Sequence, residues 1–540
     1  MFKKMKKMNA LLVSLMLTAV TTTATAGGIL TNTNQSIDFL RNPARDAAIG
    51  LDGVYSNPAG VAFLPEGFHL GFNWQYAHQT RTIKSTSPFF ALGKKNNGQT
   101  TKTFEGVADA PFLPSLQAAY NKGNWSLQFN FSVPGGGGAC EFNDGLGSFE
   151  SVVGNIANSF KTLDGMATQL NGLTTQLTPL YTMLKQTAPS TIPTYGVSGY
   201  DMNGYMQGRQ YYFGFQLGTA YKINEHLAVY GGLRLLYGTA TYKAKISNIM
   251  VGTQGGYVDF SDFLPNVPAQ ARQNAAVAQQ HLALLGQLEQ AGKMNDQLKQ
   301  AQATLTAGLN QLQQSSGQLA TLSKYAEGVN LLCNQSSVGI APIISVDYKI
   351  GNFNFAAKYE FKTQIRMKNE STVNEASEIA AVNKFRDSEE VNEDIPAMLT
   401  VGAMWSPAKD VRVNLGYHHY FDKDASWYNN TQDLLKHESN EYLAGAEWDV
   451  SDNLTISAGG QITRYGLSDD YMNDMSFVTN SYSFGLGFNY KVSDTVVLKA
   501  AYFQTNYDKY NRDDYPPLSG MSDSFTRTNR VLGIGCEMNF

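Results

Sequence analysis

The amino-acid sequence predicts an all-β transmembrane barrel of about 14 antiparallel strands, closed inside by an N-terminal hatch and carrying helical loops at one end. Three observations indicate this fold class. The chain ends in a segment in which Leu532 and Ile534 alternate with small residues, and it stops on the aromatic Phe540. Glycine, tyrosine and phenylalanine are abundant (50, 29 and 29 residues), whereas charged residues make up only 16%. Similar alternating segments recur along most of the chain.

The first residues have the pattern of a secretory signal peptide, which we predict over residues 1–26. Lysines crowd the start, a short apolar run follows at Leu11–Val20, and Ala24-Thr25-Ala26 fits a cleavage site. The apolar run is too short for a membrane-spanning helix, which needs about 20 residues. The predicted mature chain therefore begins at Gly27, outside the cytoplasm, and is either periplasmic or a barrel.

Alternating segments of about ten residues or more predict the barrel strands over residues 66–540. They are Phe68–Gln79, Leu113–Asn121, Asn124–Val133, Arg209–Lys222, His226–Ile246, Val338–Ile350, Asn352–Lys368, Ala397–Trp405, Val411–Phe421, Asn440–Val450, Leu454–Tyr465, Val478–Lys491, Thr495–Tyr507 and Phe525–Phe540. Short and long connections alternate between them, as in outer-membrane barrels, where the short turns face the periplasm. Trp125, Trp405 and Trp448 adjoin short turns, which predicts a periplasmic aromatic belt.

Two inserts have helical periodicity, and we predict helical loops at about residues 149–186 and 269–327. In the first, apolar residues from Ile156 to Leu184 recur at three- and four-residue steps. In the second, a strict four-three seam runs from Leu284 to Leu319 and predicts a long helix. The two apolar stripes either bury each other as a helical hairpin or also form a groove for apolar ligand, and the two alternatives are compatible.

The stretch from Gly27 to Pro65 is rich in small and polar residues and does not fit a lipid-facing strand. A barrel of about 14 strands has a lumen too wide for its own side chains to fill. We therefore predict that this segment, called the hatch below, plugs the lumen.

Together these features resemble the FadL family of outer-membrane transporters for long-chain fatty acids and other hydrophobic compounds. The resemblance rests on the order of signal peptide, small N-terminal segment, strands and helical loops, and on local matches. These matches are Asn57-Pro58-Ala59, Glu141-Phe142-Asn143-Asp144, Lys436-His437-Glu438 and the terminal Phe540. It covers nearly the whole predicted mature chain.

The resemblance implies a gate and a lateral exit. Asn57, Pro58 and Ala59 would belong to the gate in the hatch. Ligand would leave sideways through an opening at a kink in the third strand, which here ends in Pro134, Gly135, Gly136, Gly137 and Gly138. Proline cannot donate to a strand ladder and glycine weakens one, although an ordinary glycine-rich loop start is the alternative.

Basic residues are candidates for a ligand carboxylate. Arg234, Lys358, Arg412 and Lys499 share the lumen face with the acidic residues Glu360, Glu441, Glu447 and Glu537. Most of these charges would form ion pairs that hold the hatch to the wall. Lys436 is the single best candidate for binding a ligand, followed by Arg234 and Lys358. Asn248 stands where the family has a second basic residue, so the ligand is either an acid or a neutral hydrocarbon.

The three cysteines are too few for a disulfide scaffold, but one bridge is conceivable. Cys140 and Cys333 border the two helical inserts, which predicts a disulfide between them. Cys536 shares the lipid-facing side of the last strand and is expected to be a free thiol. His418 and His419 point to opposite faces of one strand and so do not form a metal site together. No metal, no cofactor and no enzymatic activity are expected.

The sequence thus favours a passive outer-membrane channel for fatty acids or hydrocarbons in a Gram-negative bacterium. The expected partners are these hydrophobic molecules, outer-membrane lipid and lipopolysaccharide, and the barrel-assembly machinery, which would recognise Phe540. A monomer is expected, and the net charge of −4 argues against nucleic acid as a partner. The alternatives are a general porin for polar solutes and a surface barrel for adhesion or phage binding.

Overall fold

The computed structural model describes residue 31 and residues 35–315, 328–375, 383–513 and 520–540. The predicted signal peptide, the start of the hatch and the end of the second insert lie outside these ranges. Among the described residues, no helix combines the length and apolar character needed to cross a bilayer.

Fourteen antiparallel strands form one closed sheet, which confirms the predicted fold class. They are β1 (Gly67–Thr86), β2 (Thr101–Lys122), β3 (Trp125–Phe142), β4 (Gly199–Lys222), β5 (Leu227–Thr253), β6 (Val329–Ile350), β7 (Phe353–Glu360, continued by Arg366–Ser371), β8 (Met398–Ala408, preceded by Glu390–Asn392), β9 (Val411–Tyr420), β10 (Ser439–Ser451), β11 (Leu454–Arg464), β12 (Ser481–Ser493), β13 (Val496–Tyr507, continued by Tyr510–Arg512) and β14 (Ser522–Asn539). A short strand, Gly256–Asp259, folds back on the end of β5.

The sheet closes where β1 pairs with β14, from His69 opposite Asn539 to Thr86 opposite Ser522. At the end with the short turns, Phe68 and the terminal Phe540 exchange two backbone hydrogen bonds of 3.0 and 2.8 Å. The alternation of Leu532 and Ile534 with smaller residues therefore belongs to the strand that completes the ring by pairing with β1.

Several strands extend further at the long-loop end than the sequence pattern predicted. β2 begins at Thr101 rather than Leu113, because its outward positions there are Thr103, Glu105, Val107 and Asp109 rather than lipid-facing residues. The apolar alternation marks only the part of a strand that faces lipid. Around the barrel that outward band is strongly apolar, and Trp125, Trp405 and Trp448 are exposed near the short turns.

The described part of the hatch folds into three short turns of helix inside the barrel: α1 (Ile37–Arg41), α2 (Gly53–Ser56) and a 3₁₀ turn (Gly60–Phe63). Ser36 caps α1 by accepting a hydrogen bond from the Phe39 amide (3.1 Å). Ile37 is completely buried against β14, and a Cβ added to Gly533 would lie only 2.4 Å from its side chain. The small lumen-facing residues of the wall therefore make the space that the hatch occupies.

The two inserts form a helical bundle beyond the long-loop end. The first insert is α3 (Gly147–Met183), and the second contains α4 (Phe260–Phe263), α5 (Asn266–Gln290) and α6 (Asp296–Ser315). The prediction of one long helix in the second insert is wrong, because the chain turns at Gly292, whose φ of +68° favours glycine. Asn295 then caps α6 by accepting a hydrogen bond from the Leu298 amide (2.9 Å).

The apolar stripes of the bundle cover one another. Leu170, Leu177 and Tyr181 of α3 pack in one buried cluster with Leu284 and Leu288 of α5. This arrangement corresponds to the helical-hairpin alternative, because the stripe residues are used in mutual packing.

Candidate functional site

The lower half of the lumen holds a network of ion pairs that joins the hatch to the wall. Arg45 of the hatch bonds to Asp52 within the hatch (2.7 Å) and to Glu447 of β10 (2.8 Å). Lys499 of β13 bonds to Asp38 in α1 (2.5 Å). All five side chains are buried or nearly so, so each charge depends on its partner.

A second part of the network surrounds Tyr55 in the hatch. Glu360 of β7 bonds to Arg234 of β5 (2.5 Å) and to Lys358 (2.7 Å). Lys358 also donates to the Tyr55 carbonyl (2.8 Å), and both cations lie within 5 Å of the Tyr55 ring centroid (4.8 and 4.9 Å). Two of the three residues that the sequence suggested as ligand contacts, Arg234 and Lys358, are thus held between Glu360 and the hatch.

The predicted gate residues attach the hatch to the wall. Asn57 is buried, and its amide donates to Asp347 of β6 (2.6 Å). The carbonyl of Pro58 accepts a hydrogen bond from Gln128 of β3 (2.8 Å), and Ala59 is completely buried. The three residues form a tight turn closed by the Gly60 amide, which donates to the Asn57 backbone carbonyl (3.0 Å). Their role in gating stays a prediction.

Above the hatch lies a cavity of about 270 Å³ inside the barrel, called the lumen cavity below. Phe39 of the hatch forms part of its boundary, and its apolar lining includes Leu113, Phe142, Met206 and Phe503. Polar side chains also reach it, among them Gln79, Glu441 and Gln461. This volume lies near the lower end of the range of pockets that bind small molecules, about 300–1,000 Å³.

The lumen cavity reaches a break in the barrel wall between β2 and β3. The ladder pairs Asp109 with Ala139 and then resumes only at Leu116 and Phe131, so residues 110–115 and 132–138 have no partner across this interface. We call this break the β2–β3 gap. Ala110 and Leu113 on one side, and Gly136 and Gly138 on the other, line the cavity.

The residues of the β2–β3 gap explain why pairing stops there. Pro111, Pro114 and Pro134 lack the amide hydrogen that a ladder needs. Gly136 and Gly138 have φ of +82° and +64°, a region that residues with a side chain rarely adopt. A Cβ on Gly136 would lie 2.0 Å from the Gln210 carbonyl oxygen, so this close approach of β3 to β4 requires glycine.

The two sides of the β2–β3 gap remain held by their other neighbours. Ala110 pairs with Ala77 of β1, and Gly136 pairs with Tyr211 of β4. On the outer surface, Phe112 is 62% exposed. Sequence reasoning identified the β3 side of this kink, but it missed the matching prolines of β2. Pro111 lies before the predicted start of the second strand, and Pro114 was included in that strand without being read as a break.

The predicted disulfide between Cys140 and Cys333 is wrong for this structure, in which all three cysteines are free thiols. Cys140 lies in register with Gly208, Gly208 with Tyr242, and Tyr242 with Cys333. Two strands therefore lie between the cysteines. The three steps from strand to strand, at about 4.8 Å each, place their Cα atoms roughly 14 Å apart along the wall. A disulfide needs a Cα separation below about 7 Å.

Lys436, the leading ligand candidate from the sequence, lies on the loop between β9 and β10. It is exposed and its backbone amide donates to the Gly466 carbonyl (2.7 Å), but it does not line the lumen cavity. Sequence reasoning missed two arginines that do, Arg81 of β1 and Arg527 of β14. The two-residue alternation of β14 places Arg527 on the same lumen face as Gly533, so the sequence pattern could have identified it. Arg81 lies beyond the predicted end of the first strand and could not be placed in this way.

Solved structures share this fold at low sequence identity, whereas no family model and no curated protein sequence matches the chain. A crystal structure of a Pseudomonas aeruginosa FadL homologue superposes with a TM-score of 0.54 at 9% identity, covering 95% of this chain and 100% of that chain. The TodX deltaS2S3 mutant, described as a monoaromatic hydrocarbon channel, gives 0.51 at 11% identity, with coverage of 95% and 100%. These likenesses show a common barrel fold.

Proposed function

We propose that this protein is a passive outer-membrane channel for hydrophobic compounds, with long-chain fatty acids as the favoured substrate. The observation that carries the proposal is the junction of the lumen cavity with the β2–β3 gap, above a hatch that fills the lower lumen. Substrate would enter from the long-loop end, occupy the cavity and leave sideways through the gap into the bilayer.

Transfer free energy supports a lateral route over an aqueous one. An acyl chain gains about 0.8 kcal/mol for each methylene moved from water into hydrocarbon. A path straight down the lumen would expose the chain to the buried charges around Glu360 and Glu447. A path through the gap exposes it to Leu113 on the inside and Phe112 on the outside. Such a channel needs no nucleotide or other energy source.

The hatch argues against the porin alternative. Diffusion of polar solutes needs a continuous aqueous path, and Arg45, Tyr55 and Asn57 occupy the lumen with contacts to several strands. The same contacts give the hatch its proposed role as a gate, with Asn57, Pro58 and Ala59 at its attachment to β6 and β3. The shared fold with a FadL homologue and with a monoaromatic hydrocarbon channel is consistent with a hydrophobic substrate.

The location and partners follow from the same proposal. The apolar outer band would contact outer-membrane lipid and lipopolysaccharide, and the barrel-assembly machinery would recognise the strand that ends at Phe540. The protein would work as a monomer. Lys436 remains a candidate for the first contact with a fatty acid, since it is exposed at the long-loop end.

Uptake in cells tests this function. The protein is produced in a Gram-negative strain that lacks its own fatty-acid channel, and uptake of a labelled long-chain fatty acid and of toluene is measured. The proposal predicts uptake of at least one of them well above the empty-vector strain. In parallel, the purified protein is placed in liposomes and sugar efflux is followed. Free passage of sugars without hydrophobic uptake would establish the porin alternative.

A further inference from the structure

The lumen cavity contains an unbalanced pair of cations. Arg81 and Arg527 are direct cross-strand partners at the closure of the barrel, and both side chains line the cavity. Like charges placed directly opposite each other destabilise a sheet. Such a pair is therefore expected only where another group offsets the repulsion.

No carboxylate of the described residues offsets it. The charged residues lining the cavity are Arg81, Arg209, Arg527 and Glu441. Glu441 is already engaged by His418 of β9 (2.8 Å) and by Tyr420 (2.8 Å), and neither Arg81 nor Arg527 forms a salt bridge within the described chain. The cations in the lower lumen, beside the hatch, are neutralised by carboxylates. Arg45, Arg234 and Lys499 each form a salt bridge with an acidic side chain.

The hydrogen-bonding capacity of the two guanidinium groups is largely unused. Arg527 donates to the Phe477 carbonyl and to Gln79 in long contacts of 3.3 and 3.2 Å. Arg81 donates no hydrogen bond to a described residue and lies 5.8 Å from the Phe477 ring centroid. The Nε atoms of both arginines are buried without a partner. Each guanidinium carries five N–H donors whose planar fork matches a carboxylate.

The wall beside the pair provides an apolar continuation of the cavity. On β2, Ala108 stands opposite Gln79 and lines the cavity, whereas Gly106 stands opposite Arg81 and leaves room for the Phe142 ring and the Cys140 side chain. Further around the cavity, Phe142 and Met206 offer an apolar surface that continues to the β2–β3 gap. The cavity is thus cationic at the β1–β14 seam and apolar toward the gap.

From this arrangement we infer that Arg81 and Arg527 together bind the carboxylate of an amphiphilic substrate, whose hydrocarbon part extends toward the β2–β3 gap. This inference rests on the proposed function and deepens it, because it selects hydrophobic monocarboxylates over neutral hydrocarbons. A carboxylate between the two guanidinium groups would supply the missing negative charge and use their free donors.

Equilibrium binding to the purified, detergent-solubilised full chain tests the inference, with decanoate and decanol as the probes. Replacing both arginines by glutamine (Arg81→Gln, Arg527→Gln) is expected to weaken decanoate binding roughly 10- to 100-fold, the range for loss of charge-assisted hydrogen bonds, and decanol binding less than about twofold. Arg530→Gln is the matched control, because it removes an exposed arginine from the other face of β14 and should change neither affinity.

The outcomes separate this inference from the function on which it rests. If decanol binds the wild type as tightly as decanoate, or the double glutamine variant loses both ligands equally, the carboxylate site is refuted while the channel function stands. If neither probe binds the wild type, both fail. If the glutamine variant does not fold, Arg81→Lys with Arg527→Lys keeps the charges, and the inference predicts that this variant still prefers decanoate over decanol.

Discussion

The side-chain amide of Asn57 in the hatch donates to the carboxylate of Asp347 in β6, 290 positions further along the chain, at 2.6 Å. Asn354 of β7 donates to the same oxygen (2.8 Å). Asp347 is completely buried, so the hatch provides part of the solvation of this carboxylate. Attachment of the hatch and satisfaction of a wall charge therefore depend on the same residue.

Replacing Asn57 and Pro58 by alanine (Asn57→Ala, Pro58→Ala) should loosen the hatch without preventing barrel assembly. Loss of a hydrogen bond to a charged group costs roughly 1.5–3 kcal/mol, which is small beside the closed strand ladder. We expect faster hydrogen exchange in residues 44–60 and lower uptake of a labelled fatty acid. An exposed change nearby, Glu66→Gln, is the control. Unchanged exchange and uptake at equal surface level would remove the gating role.

The kink in β3 should depend on Gly136. Gly136→Ala brings a Cβ to 2.0 Å from the Gln210 carbonyl oxygen at a φ of +82°, so β3 must shift relative to β4. We expect reduced uptake of hydrophobic substrate by this variant. Gly123→Ala is the matched control, because its φ is +58° but nothing lies within 4 Å of the added Cβ. Equal effects of the two substitutions would mean that only backbone strain matters, and not the shape of the gap.

The free thiol of Cys140 provides a probe of the cavity that it lines. Mass spectrometry of the protein under non-reducing conditions should find Cys140, Cys333 and Cys536 as free thiols, with no Cys140–Cys333 bridge. Alkylation of Cys140 by N-ethylmaleimide should slow when the cavity is saturated with substrate, whereas Cys536, on the outer face of β14, should react at an unchanged rate. Equal alkylation rates of Cys140 with and without substrate would place the substrate elsewhere.

A pH effect is expected in the loop between β9 and β10, outside the membrane-spanning strands. Burial raises the pKa of Asp422 to about 7, although the Ser439 amide donates to its carboxylate (3.0 Å). The folded loop thus binds the proton more tightly than the unfolded chain, whose aspartate has a pKa of about 3.9. Its stability should be greatest below about pH 4, fall as the pH rises to about 7 and then level off.

Hydrogen exchange corrected for intrinsic rates measures this effect as the free energy of local opening. Asp422→Asn mimics the protonated carboxyl group, so it should flatten the dependence and stabilise the loop at pH 8, by on the order of 4 kcal/mol. Asp424→Asn alters an exposed carboxylate of the same loop and should leave the dependence intact. A pH dependence that persists in Asp422→Asn would assign the effect to another group.

The sequence was sufficient to predict the fold because a barrel repeats one simple rule. Residues such as Leu532 and Ile534 face lipid, whereas Gly533 faces the lumen, and this alternation was visible in the lipid-facing part of the strands. The sequence also predicted that charges in the lumen would form ion pairs, because Glu360 and Arg234 both fall on lumen-facing positions of their strands. Their partners in the hatch, such as Tyr55, were not predictable, because that contact depends on how an irregular segment of the chain folds inside the barrel.

The lumen cavity could not be predicted because it depends on residues whose strands extend beyond the lipid-facing pattern. Arg81 lies two residues past the predicted end of β1, and Ala108 lies five residues before the predicted start of β2. The disulfide was predicted from the proximity of Cys140 and Cys333 to the inserts. The strand register instead places β4 and β5 between them, and register is not readable from spacing alone.

Closing the β2–β3 gap by a cross-link tests the central claim most directly. In a chain with its three cysteines replaced by alanine, Leu113→Cys and Pro134→Cys are joined by a cleavable bifunctional maleimide, and fatty-acid uptake is measured. Tyr120→Cys with Leu127→Cys is the control, because these positions are already paired across β2 and β3. Lateral exit predicts that the first cross-link abolishes uptake, that cleavage restores it and that the control has no effect. Full uptake through a completely cross-linked gap would contradict the account.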